Sequence, residues 1–229
     1  SDYVSFMTYA YSEVVHKSIE ALLSRFAKDT DKLIPLAEIA EETLYSPDGE
    51  FVSDEVYLPF ALAASKAKKG DSEKKKHFAA QAKILSQSQI NMRAPDFEYT
   101  LPDGTKARLN DSFGKYVLIF FDEPGNNDNF MARVRLQADS NVNDLIDKGV
   151  LEVYCIYPGK FTQDWANSTS TYNKRWKVGA APSVKEVYDM RYAPVMYYLN
   201  GNHKILSKTF SADNLKEAFR RVNENYQPN

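Results

Sequence analysis

The sequence predicts an all-α domain over residues 1–89, followed by an α/β domain over 90–229 with a mixed central sheet and helices on both faces. Three observations carry this prediction. Up to about residue 89, apolar side chains recur at helical spacing. From Asn91 the segments run in the order ββ, then βαβα, then ββα. Within that order a strand–helix–strand crossover calls for a parallel pair with a right-handed connection, and a late Asn-Gly hairpin calls for an antiparallel edge.

In the helical half, Val15, Ile19, Leu22, Leu23 and Phe26 share one face, as do Tyr57, Phe60, Ala61 and Ala64, and then Phe78, Ala82 and Leu85. Ser53 before Asp54 and Glu55 is an N-cap with acids in the first turn, where the helix dipole favours them. Pro47-Asp48-Gly49 is a turn signal. The basic run "KAKKGDSEKKKH" breaks at Gly70-Asp71. Acids interrupt it and no aromatic interleaves it, so it reads as a solvated helix connection and not as a nucleic-acid surface.

In the second half, residues 97–100 and 106–109 flank Pro102-Asp103-Gly104-Thr105 and read as a β-hairpin. Residues 117–121 are a continuous apolar run, as expected of a strand covered on both faces, and 150–157 read as a second buried strand. A helix is expected over about 127–147, with Phe130, Val134, Leu145 and Ile146 apolar, and another over 163–176. Residues 194–199 form a third strand, and Asn200-Gly201 reads as a type I′ turn. Leu215, Phe219, Val222 and Tyr226 line the buried stripe of a last helix with Ser211 as its N-cap.

Composition excludes several classes. The net charge of −2 implies no polyanionic partner. No apolar run approaches the roughly 18 residues that span a membrane. His16, His77 and His203 show no ligand spacing, and the single cysteine, Cys155, supports neither a zinc cluster nor an internal disulfide. Neither a metal nor another cofactor is expected. The chain opens with Ser1-Asp2-Tyr3, without Met or a secretory pattern, and is expected to be a trimmed product.

Three stretches, "APDFEYTLPDGTKARLNDSFGKYVLIFF", "LEVYCIYPGKFTQDW" and "YDMRYAPVMYYLNGNHKIL", resemble in order and spacing the thioredoxin-like proteins of the TlpA/ResA type. They match the opening hairpin and first core strand, the second strand with its following loop and helix, and the cis-proline segment with its hairpin. The resemblance covers about 91–226. The stretch "LYSPDGEFVSDEVYLPFALAA" is similar to an uncharacterised helical domain that precedes such domains in envelope proteins of certain Gram-negative bacteria. This implies a thioredoxin-like fold and a periplasmic or envelope-anchored location after signal removal.

Active members carry Cys-x-x-Cys at the N-terminus of the first long helix. Free amides and the positive end of the helix dipole lower the thiol pKa there, and the second cysteine resolves the mixed disulfide. Carried onto this sequence, the two positions fall on Asn126 and Asn129, with Asn127-Asp128 between them. No cysteine precedes Cys155, which reads as a small buried hydrophobe. The expectation is a redox-inactive domain with no catalytic residue, in which Asn126 or Asn127 caps the helix. The resemblance also implies that Pro194, in Tyr192-Ala193-Pro194, is cis, faces the turn, and lies beside backbone that pairs with an extended peptide. Trp165, Trp176 and Tyr192 line that groove or fill the core. Asp122, Glu123 and Asp128 read as solvated acids with no His or Ser placed by sequence to make them reactive. The expected partner is a peptide or protein. The alternative is an oxidoreductase-family protein whose activity a partner supplies.

Overall fold

The structure, a computed structural model, describes residues 2–26, 30–46, 52–209 and 211–226, with side chains from residue 13 onward. The chain falls into two compact units, Ser1–Ser86 and Gln87–Asn229.

The first unit comprises α1 (Asp2–Phe26), α2 (Leu33–Ala40), a π-helical turn (Glu41–Tyr45), α3 (Asp54–Ser65) and α4 (Ser72–Gln87). Their apolar faces meet in one core around Ile34, Ala37, Tyr57, Phe60, Phe78 and Leu85. The Tyr57 hydroxyl donates to Gln81 Oε1, and Gln81 Nε2 donates to Glu41 Oε1. The polar end of this buried tyrosine is thus satisfied inside the bundle. Ser53 caps α3 by accepting from Val56 N at 3.4 Å. Gly70, at φ +104°, turns the chain, and Asp71 Oδ1 accepts from the Glu73 and Lys74 amides at 2.7 and 3.0 Å to open α4. Helix α2 was not foreseen. Its Pro35 interrupts the sequence pattern but sits in the first turn, where no amide is needed for the helix ladder. The Pro47-Asp48-Gly49 turn lies outside the described residues.

The second unit is built on seven strands: β1 (Glu98–Thr100), β2 (Lys106–Arg108), β3 (Tyr116–Phe121), β4 (Leu151–Tyr157), β5 (Lys177–Ala180), β6 (Val195–Asn200) and β7 (Ile205–Thr209). Their order is β2-β1-β5-β4-β3-β6-β7. Strands β3, β4 and β5 are parallel, while β6 is antiparallel to β3, and β7 to β6. The helices are α5 (Asn127–Ala138), α6 (Ser140–Asp147), α7 (Gln163–Ser168) and α8 (Asp213–Asn225). Strand β3 alternates between two cores. Leu118 and Phe120 face Leu136, Leu145 and Phe219, whereas Val117, Ile119 and Phe121 face Tyr154, Tyr188 and Tyr197. That double burial explains its uninterrupted apolar run.

Four expectations are corrected. The helix expected over 127–147 is two helices, because Asp139 leaves helical geometry (ψ 119°) and its carboxylate accepts from Val142 N to start α6. Phe130 and Val134 are 50% and 41% exposed, and the buried face of α5 is Asn129, Ala132 and Leu136. The helix expected over 163–176 stops at Ser168. Ser168 and Thr169 hydroxyls bond back to the Trp165 and Ala166 carbonyls, and a short β5 follows. Trp165 and Trp176 are core residues. The β6–β7 connection is not type I′, which needs positive φ at both central residues. Here His203 alone carries it, at φ +60°, donating its amide to the Asn200 carbonyl at 2.8 Å. Finally, Ser211 Oγ accepts from Asp213 N at 3.2 Å, but the N-cap position of α8 is Ala212.

Phe120 has no exposed surface and packs in the α5–α6–α8 core. Phe120→Ala is expected to cost about 3–5 kcal/mol, read as a lower urea midpoint with unchanged slope.

Candidate functional site

Strand β3 delivers the chain into the turn that precedes α5. The Asp122 amide still donates to the Ile156 carbonyl at 2.9 Å, so strand pairing draws Asp122 inward and leaves it 4% exposed. Gly125 then adopts φ +87°, a left-handed conformation that glycine takes without steric cost. Asn126 is the N-cap. Its Oδ1 accepts from Asp128 N at 2.9 Å and Asn129 N at 3.0 Å. Two first-turn amides of α5 are therefore occupied by the side chain of the capping residue itself. Asn127 and Asp128 are exposed, whereas Asn129 is 2% exposed.

Asp122 is not the solvated acid that its position in a turn suggests. Its Oδ2 accepts from the Tyr172 hydroxyl at 2.7 Å, lies 3.2 Å from Arg133 Nε, and is 3.8 Å from Cys155 Sγ. The Arg133 Nε–H is not aligned for a hydrogen bond to it, so the contact is an ion pair. The guanidinium instead stacks over Tyr172, 3.9 Å from the ring centroid. Burial raises the Asp122 carboxyl above its usual range, and the Tyr172 hydrogen bond and Arg133 offset this only in part. Burial and the neighbouring Asp122 also push the Cys155 thiol well up. A buried thiol of raised pKa is a poor nucleophile. A cleft of about 340 Å³ is lined by Asp122, Arg133 and Tyr172 together with Asn126, Asn127 and Phe130.

The Ala193–Pro194 peptide bond is cis. Register sets its place: Val195 pairs with Phe121, so Pro194 immediately precedes β6, beside the end of β3. A second cleft, of about 360 Å³, lies between the two segments, with Asp128, Met131 and Arg135 on one side and Ala193 and Pro194 on the other. The structure thus brings Asp128 and Pro194 together and puts Asn126 and Asn127 in the adjoining cleft. Ala193 is exposed, Tyr192 is half-buried, and the Tyr192 ring lies 5.6 Å from the Arg191 guanidinium.

Sequence reasoning missed Arg133 and Tyr172, which hold Asp122, and the triad that anchors the approach to Pro194. In that triad Asp189 is 2% exposed and pairs with Arg191 Nη2 at 2.6 Å and with Lys208 Nζ. Burial would raise the Asp189 carboxyl, but the two cations outweigh it and hold the pKa at about 2. The one sequence signal for Asp122 is its place directly after an apolar run. Asp189 has none. Among the described residues, no group of three or more His, Cys, Asp or Glu side chains is arranged to hold a metal ion. No helix among them is long and apolar enough to cross a membrane.

No protein-family model and no curated protein sequence matches the chain. Solved structures do. A thioredoxin-like protein from Bacteroides caccae is 23% identical, covering 92% of this chain and 77% of its own, with a TM-score of 0.76. The C-terminal domain of an uncharacterized protein from Bacteroides fragilis is 26% identical, covering 58% of this chain and 98% of its own, with a TM-score of 0.54. A thiol:disulfide interchange protein from a Bacteroides species is 20% identical, covering 61% of this chain and 93% of its own, with a TM-score of 0.51. These likenesses, with the mixed seven-stranded sheet, define a thioredoxin-like fold preceded by a helical region.

Two substitutions test the site energetics. Asn126→Ala is expected to cost about 1 kcal/mol by denaturant unfolding, and Asn126→Asp to retain the cap. Asp122→Asn is expected to stabilise the protein at pH 7. The native carboxyl titrates above its unfolded value, so its penalty is absent below about pH 3.8 and grows as pH rises through the folded pKa. Unfolding curves at pH 3 and pH 7 should therefore show the gain only at pH 7.

Proposed function

We propose that this chain is a redox-inactive, TlpA/ResA-like protein of the bacterial cell envelope, which binds peptide or protein segments at the turn and the cis-proline. One observation supports this above the rest. At the helix N-terminus where a thiolate would be stabilised, the amides of Asp128 and Asn129 are held by the carboxamide of Asn126. Asn126 and Asn129 cannot form a disulfide, and Cys155, the one thiol in these 229 residues, is buried on β4. Surfaces that a ligand could meet support the binding role. Pro194 sits across a cleft from α5, Ala193 is exposed beside it, and the half-exposed Phe130 and Met131 offer apolar contact. An extended segment binds there through its backbone, with side chains entering the two clefts.

The second reading is an oxidoreductase-family protein with thiols supplied by a partner. In its favour is the fold likeness to a thiol:disulfide interchange protein. Two measurements separate the readings. The wild-type chain is expected to leave insulin disulfides intact, while unstructured peptides shift the amide resonances of residues 126–131 and 193. Turnover of insulin disulfides by the chain alone would overturn redox inactivity, and unperturbed resonances at those positions would overturn the binding role. The double substitution Asn126→Cys with Asn129→Cys is expected to confer measurable insulin reduction, because the helix terminus it enters is already formed.

A further inference from the structure

The opposite end of the central strands carries a group of side chains that the turn and cis-proline do not use. Strand β6 runs antiparallel to β3, so the end of β6 at Asn200 lies beside Tyr116, at the start of β3. This brings His203, from the β6–β7 turn, against the segment that leads into β3. His203 Nε2 lies 2.5 Å from Ser112 Oγ, and its Nδ1 lies 3.1 Å from Asn110 Oδ1.

Proton positions in this chain follow from its first member. Arg93 Nη2 also contacts Asn110 Oδ1, at 3.2 Å. A guanidinium only donates, so the Asn110 atom facing it is the carbonyl oxygen. The imidazole must then carry its proton on Nδ1 to donate to the same oxygen. Nε2 is left as an acceptor, and the Ser112 hydroxyl donates to it. His203 is 4% exposed and held at both ring nitrogens, while Ser112 is only half-buried.

Directly after Ser112, the amides of Phe113 and Gly114 converge on a single anionic oxygen, Glu152 Oε1, at 2.6 and 2.7 Å. Two backbone donors aimed at one oxygen, on the two residues that follow the hydroxyl in the chain, are what a developing oxyanion requires. Here the protein's own carboxylate fills the position, and its other oxygen accepts from the Tyr154 hydroxyl at 3.2 Å. Phe113, the next residue, is 94% exposed and offers an apolar surface to solvent.

We propose that Asn110, His203 and Ser112 form a nucleophilic relay that hydrolyses small acyl esters, held in a resting state by the Glu152 carboxylate. Ser112 Oγ bonds to the acyl carbon and its proton passes to His203 Nε2. With Glu152 displaced, the carbonyl oxygen takes its place on the Phe113 and Gly114 amides. The C–O bond to the alcohol breaks, and the leaving oxygen takes the proton from His203. Water then attacks the acyl-Ser112 ester, giving a proton to His203, which returns it to Ser112 as the acid departs. Burial, seconded by Arg93, lowers the imidazole pKa against the opposing pull of Asp96 and Glu152, which keeps the base neutral near pH 7.

The test uses the whole chain, a fluorophosphonate probe and p-nitrophenyl acetate. Peptide mass mapping is expected to find the probe on Ser112 in the wild type, and on no residue in Ser112→Ala or His203→Gln. Glu152→Ala, which vacates the donor pair, is expected to raise both labelling and ester turnover at least tenfold. The rate should rise with pH and level off below the ordinary imidazole value of about 6.5. An unlabelled Ser112 in both wild type and Glu152→Ala, with circular dichroism showing both folded, would overturn the proposal. So would labelling that persists in Ser112→Ala.

Discussion

The antiparallel ladder between β3 and β6 is the constraint on which the second unit depends. Its register, from Tyr116↔Asn200 to Phe121↔Val195, is continuous over six pairs. At one end it sets Pro194 beside the turn that opens α5. At the other it sets the β6–β7 turn beside the segment leading into β3. Two groups of polar side chains, at opposite ends of the same two strands, are thus positioned by one set of backbone hydrogen bonds. A one-residue slip would send every side chain of β6 to the wrong face and dismantle both ends together. The two buried cores prevent it, because Met196 and Tyr198 belong to one and Tyr197 and Leu199 to the other.

Two buried aspartates show how differently such a frame can treat one residue type. Asp189 sits between two cations, and its charge is strongly favoured despite burial. Asp122 has one cation, poorly aligned, and burial disfavours its charge by more than Arg133 and the Tyr172 and Cys155 contacts restore. The first pins the backbone before Pro194. The second leaves a polar group beneath the turn, in the lining of the cleft.

Much of this was legible in the sequence, for physical reasons. The run that became β3 is apolar without interruption because both faces are buried, and β4 departs from that pattern only at the half-buried Glu152. Ser53 and the Gly70-Asp71 break announced helix ends through short polar side chains and left-handed backbone. Strand β5 was not legible: it has four residues, one of them Lys and one Gly, and its identity comes from pairing with β4. The break at Asp139 was hidden because one side chain ends a helix and starts the next. Ser112 and His203 are 91 positions apart, and no spacing rule links them. Asp122 looked solvated because turns usually are, but its amide continues the β3 ladder and carries the carboxylate inside.

The cap at Asn126 has a consequence for how such a turn persists. Its carboxamide holds two amides that point at the side chain of residue 126, whatever that side chain is. Those amides are kept in place by the stability of α5, since a helix without its cap loses about 1 kcal/mol. The arrangement is therefore maintained by folding and does not require any reaction to maintain it. Selection on stability alone would preserve this pair of converging amides for as long as the helix itself is kept.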